Sequence, residues 1–136
     1  MRRKILAAAL ALAAIVPAGA HHSAAMFDHT RLVLLEGKVI SFSYLNPHSW
    51  ISVMAAVDGK GEPARWDIEA TSPNQLARIG IEKDTLKPGD KVTIGSRPLR
   101  DGRNGGSLVF VVTADGKALG ADPKELGLDA RALVPK

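Results

Sequence analysis

The sequence has no cysteine among its 136 residues. That excludes a disulfide framework, and it removes the thiol that a bacterial lipid anchor needs. Stability must come from burial alone. There is one unbroken apolar run, Ile5 to Val16. It is too short to cross a bilayer, which takes roughly 20 apolar residues. No internal repeat is visible. No Gly-x-Ser-x-Gly elbow, His-Glu-x-x-His helix or phosphate-binding glycine loop occurs. An enzyme of those types is therefore not expected, and a non-enzymatic binding module is.

What is present begins with an export signal. Arg2, Arg3 and Lys4 precede the apolar run, Pro17 breaks it, and Ala18-Gly19-Ala20 forms an A-x-A cleavage site. Residues 1–20 are read as a cleaved signal peptide of a bacterial periplasmic or secreted protein. The leader carries three of the 18 Lys and Arg, so 15 would face 14 Asp and Glu after cleavage. That near-neutral balance argues against nucleic acid, which calls for a strong positive field. No membrane partner is expected after cleavage either.

A cut after Ala20 makes His21 the first mature residue, with His22 next. A free α-amine beside imidazoles is a set of nitrogen donors suited to Cu(II), which favours tetragonal nitrogen sites. Two schemes follow. In one, the amine and His21 chelate the metal and His48 supplies a third nitrogen. In the other, the amine, a deprotonated amide nitrogen and His22 form a local chelate. Copper is the candidate cofactor, with His21, His22 and His48 as its ligands. Asp28 and His29 are candidates for the outer shell, Asp28 as an acceptor that orients a histidine. Ligand histidines must be neutral, so affinity should fall as pH drops through roughly 6.

Residues 21–116 read as an all-β domain, of which 21–31, with no sustained period, form an N-terminal His-rich arm. Leu32–Leu45 is a long first strand, with Gly37 as a bulge or bend where the apolar parity switches. Asn46-Pro47-His48 is a turn. Trp50–Val57 and Ala64–Ala70 are the next strands, joined through Asp58-Gly59-Lys60-Gly61. A short helix follows, with Ser72 as N-cap, Pro73 at the first position and Gln75 completing a capping box. Leu76 and Ile79 provide its apolar contact, and Gly80 stands at its end. Lys91–Leu99 and Ser107–Ala114 are strands four and five. This order is that of a five-stranded OB-like Greek-key barrel with one short helix between strands three and four. Residues 117–136 read as a loosely ordered tail.

Other chemistry is thinner. Asp67 and Glu69 read as a solvated strand face. Arg97, Arg100 and Arg103 flank a glycine-rich loop and, with Trp50, form a candidate face for an anion or another ligand. Trp66, alternating with Ile68 and Ala70, is read as core.

Five segments together carry a resemblance: His21-His22-Ser23, Phe27-Asp28, Asn46-Pro47-His48-Ser49-Trp50, Ser72-Pro73-Asn74 and Leu86-Lys87-Pro88-Gly89-Asp90. On these the chain resembles the exported bacterial proteins grouped as domain of unknown function 6152, over nearly its whole mature length. The resemblance implies export and a small β-barrel. It implies no activity and no binding residue. The expected function is thus an exported module that binds copper or another transition metal through the N-terminal histidines. The alternative is an interaction module for a small ligand or a periplasmic partner protein, with the histidines incidental.

Overall fold

The computed structural model describes residues 22–136. The leader and His21 lie outside the described residues. Six strands form one sheet: β1 Val33–Ser43, β2 Trp50–Val57, β3 Ala64–Glu69, β4 Lys91–Pro98, β5 Gly105–Thr113 and β6 Ala118–Gly120. Their order is β3-β2-β1-β4-β5-β6, and β3 also pairs with β5. That last pairing is parallel and runs from Asp67 and Glu69 to Gly105 and Ser107. It closes β1–β5 into a mixed five-stranded barrel of the OB arrangement, with β6 outside the closure. Helix α2, Pro73–Arg78, lies between β3 and β4. A short turn of helix, α1 His22–Ala25, precedes the barrel.

Alternation along the strands fills the barrel. Ile51, Val53 and Ala55 of β2 point inward, as do Leu35, Ile68, Val92, Ile94 and Val111 from the other strands. Full burial of each Val, Leu or Ile stabilises by about 1.5–3 kcal/mol. Trp66 packs against this core and is partly buried. The parity switch in β1 comes from a bulge between Val39 and Ser41, with Ile40 the extra residue. Gly37 is not the bulge. It pairs with Ala55, where a Cβ would overlap the Met54 carbonyl oxygen and Ala55 itself. Glycine is needed there for close backbone approach, which a strand glycine signals as readily as a bulge.

The end of α2 follows its sequence. Gly80 has φ +83°. Its amide donates to the Ala77 carbonyl, and the Ile81 amide donates to the Leu76 carbonyl. This is a Schellman ending, and Leu76 and Ile81 are both buried in one cluster beside it. Two expectations fail at this helix. The Ser72 side chain makes no capping bond, so the capping box does not form. Ile79 is exposed, and Ile81 and Leu86 take the buried place expected for it.

The tail is packed rather than loose. Strand β5 is apolar on both faces, and only Val111 and its inward neighbours fit inside the barrel. Phe110 and Val112 point outward and need a cover. Leu133 supplies it, with Leu126, Leu128 and Val134 alongside. The Phe110 ring lies over Gly95, where a Cβ would collide with it. At the chain end, the Lys136 amide donates to Glu36. The packed body therefore runs well past residue 116.

Candidate functional site

His48 lies in the turn between β1 and β2, and Ser49 fixes that turn. The Ser49 amide donates to the Thr71 carbonyl at 3.1 Å, and the Ser49 carbonyl accepts from Ala70 at 2.8 Å. The Ser49 hydroxyl bridges back to Leu45. With its backbone pinned on both sides, His48 faces the end of β3. There its Nδ1 meets the Glu69 carboxylate. The His48 side chain is 43 % exposed and that of Glu69 14 %. A carboxylate accepts, so Nδ1 is the donor of this pair, and whenever the ring is neutral its lone pair is on Nε2. A histidine held in one tautomer by a carboxylate is the arrangement that orients metal-ligating imidazoles.

Glu69 occupies a junction. It pairs with Trp50 across β2 and with Ser107 across β5. On one side it borders a cavity of about 250 Å³ shared with His48, Thr71, Leu76 and Ile79. On the other it borders a groove of about 330 Å³ shared with Met26, Phe27, Trp50, Asp67 and Arg103. Two residues of the N-terminal arm thus form part of the groove that Glu69 borders.

The arm is strapped to the barrel just beyond β4. Phe27 is buried and pairs with Leu99 as an isolated antiparallel bridge. The Asp28 amide donates to the Pro98 carbonyl at 2.8 Å, and the Arg100 amide donates to the Met26 carbonyl at 2.9 Å. Two arginines reinforce this. Arg100 Nε donates to the Ala25 carbonyl at 3.1 Å, and Arg97 Nη1 donates to the Arg31 carbonyl at 2.9 Å.

The residues singled out in the sequence therefore separate. His48 and Trp50 are brought to the same end of the barrel through Glu69. His22 opens α1, just ahead of the groove-lining Met26. Arg97 and Arg100 bind arm carbonyls and so serve as fasteners instead of a free cationic face. Arg103 lines the groove, and its Nε donates to Asp101 at 2.7 Å. The Arg103 amide and guanidinium hold the Asp101 carboxyl below its ordinary value.

Asp28 does not orient His29. It accepts from the Thr30 hydroxyl and amide, at 2.6 and 3.0 Å, and these bonds lower its pKa. The His29 ring instead bonds the Ala24 carbonyl through Nε2 at 2.9 Å. Asp67 and Glu69 are not a simply solvated face either. Asp67 accepts from Ser52 and Arg65. Burial alone would raise the Asp67 pKa, but the Ser52 hydroxyl and the Arg65 guanidinium outweigh it and hold the carboxyl low.

Sequence reasoning missed Glu69 as the partner of His48. The two are 21 positions apart. The only signal was indirect: strands two and three are antiparallel neighbours, so the turn leading into β2 lies beside the end of β3.

A small OB-type barrel with a groove at the end of β3, walled by the strapped arm, defines the class. Residues 9–108 match the family of unknown function DUF6152, and the chain belongs to that family. No curated protein and no solved structure gives a match.

Proposed function

We propose that this protein is an exported copper-binding module, in which His48 joins the α-amine and imidazoles of a mature N-terminus beginning at His21. One observation carries the reading. Glu69 holds His48 by Nδ1, leaving Nε2 to donate, and the same carboxylate borders the groove containing Met26 of the arm. The arm's route supports the scheme in which a distant imidazole is recruited. Among the described residues, no group of three or more His, Asp or Glu is arranged to hold a metal. In this reading His48 is one ligand, and the others come from His21 and the terminal nitrogen.

The test starts with mass spectrometry of the exported protein, to establish His21 as its first residue. Cu(II) titration then compares the mature protein with one carrying an extra N-terminal residue, and with His48→Ala. Both changes should weaken binding. Glu69→Gln should weaken it about 10–100-fold, the usual cost of losing an outer-shell partner. Equal affinity in all four proteins would end the copper reading. The groove beside Trp50 favours a second reading, in which the barrel binds a small ligand and the histidines are incidental.

A further inference from the structure

The groove beside Trp50 has a chemistry that a bare metal ion does not use. Its lining is mostly apolar, with Met26 and Phe27 from the arm joined by Leu99 and Trp50. Trp50 is 43 % exposed, so much of its indole is open to the solvent. Beside it on β3 stand two carboxylates of the same outer face, Asp67 and Glu69. Asp67 takes its bonds from Ser52 and Arg65 on Oδ1, and Glu69 takes His48 on Oε1. Among the described residues, Asp67 Oδ2 and Glu69 Oε2 accept no hydrogen bond, so each acid keeps acceptor capacity. Arg103 also lines the groove, but its guanidinium is paired with Asp101, and Arg65 is paired with Asp67.

Ligand classes can be sorted against this lining. An anion would meet two carboxylates. A neutral apolar molecule would leave the charge unanswered. A compact primary ammonium is strongly hydrated and gains little from apolar walls. A cation wrapped in methyl groups uses both parts: its surface packs on the indole and the thioether, and its charge is attracted by the π face and by the acids. We propose that this groove binds a small organic cation of the quaternary or alkylated ammonium type, against Trp50, Met26 and Phe27, with its charge toward Glu69 and Asp67. The volume of about 330 Å³ accommodates a headgroup of that size. This site shares Glu69 and Met26 with the copper reading but needs no metal.

The test uses the full exported protein stripped of metal and kept in a chelator, so failure of copper binding has no bearing on it. Calorimetric titrations compare choline with 3,3-dimethylbutan-1-ol, in which carbon replaces the charged nitrogen. Choline should bind at least about tenfold tighter. Trp50→Leu should weaken choline by about tenfold, and Trp50→Phe by less, with circular dichroism confirming the fold of each. Asp67→Asn with Glu69→Gln should abolish the preference for choline over the alcohol. The proposal is overturned if the alcohol binds as tightly, if Trp50→Leu binds choline unchanged, or if choline shows no binding at millimolar concentration.

Discussion

The two segments outside the barrel are held by different forces. The tail is attached by burial: Leu133 closes over Phe110 and Val112, and Pro123 of the tail is itself fully buried. The arm is attached mainly by hydrogen bonds, from arginine side chains and backbone amides to carbonyls, with Phe27 as its one buried hydrophobic side chain among the described residues. A net hydrogen bond contributes about 0.5–1.5 kcal/mol, and a buried large apolar side chain about 1.5–3. The tail is therefore part of the core, while the arm is a strap that can rearrange without unfolding the barrel. The copper proposal requires a segment of the second kind.

The sharpest way to break this contrast is Phe110→Ala. It should lower global stability by about 3–5 kcal/mol, because it opens a cavity under the tail as well as removing apolar contact. Urea denaturation reads this directly. A loss below about 1 kcal/mol would mean that the tail is not core. Phe27→Ala should cost less, about 1–2 kcal/mol, although the side chain is the same. The arm can detach instead of leaving a void, so the loss is limited to its own docking free energy. Hydrogen exchange should then rise at Asp28 and Arg100 and stay unchanged in β2. Arg100→Ala removes one strap bond and should cost about 0.5–1.5 kcal/mol. An Arg100→Ala loss as large as that of Phe110→Ala would show that the arm is as much a part of the core as the tail.

The same contrast explains what the sequence made legible. Strands came from period-2 alternation, and Trp50–Val57 has the bounds read from it. The helix ending came from one glycine, Gly80, in a position that requires positive φ. Strand five was visible as apolar on both faces, yet the cover that this demands was not assigned, so the tail read as loose. Pairings between distant segments were the hardest to see. His48 and Glu69 meet only because β2 and β3 align Trp50 with Glu69. Arg97 and Arg100 looked like a ligand face because their actual partners are carbonyls of the arm, and backbone acceptors leave no mark in a sequence.

The smallest effect expected is a pH dependence confined to the arm. Asp28 accepts from the Thr30 hydroxyl and amide, and these bonds bring its pKa below the usual 3.8. The sign follows from linkage: the unfolded segment binds the proton more tightly than the docked one. The stabilising contribution is thus complete above the unfolded value and is lost as pH falls through the still lower docked value. Arm order should weaken below about pH 4, whereas the cover over Phe110 and Val112 is apolar and involves no such proton. Amide exchange followed by NMR from pH 6 to 3 separates the two. The Thr30 and Arg31 amides should lose protection ahead of Val112. Asp28→Asn, which keeps the shape of the turn without the titrating group, should flatten the pH dependence at Thr30 and leave Val112 as it was. If Thr30 and Val112 lose protection together, the arm is part of the same cooperative unit as the tail, and the strap is no separate device.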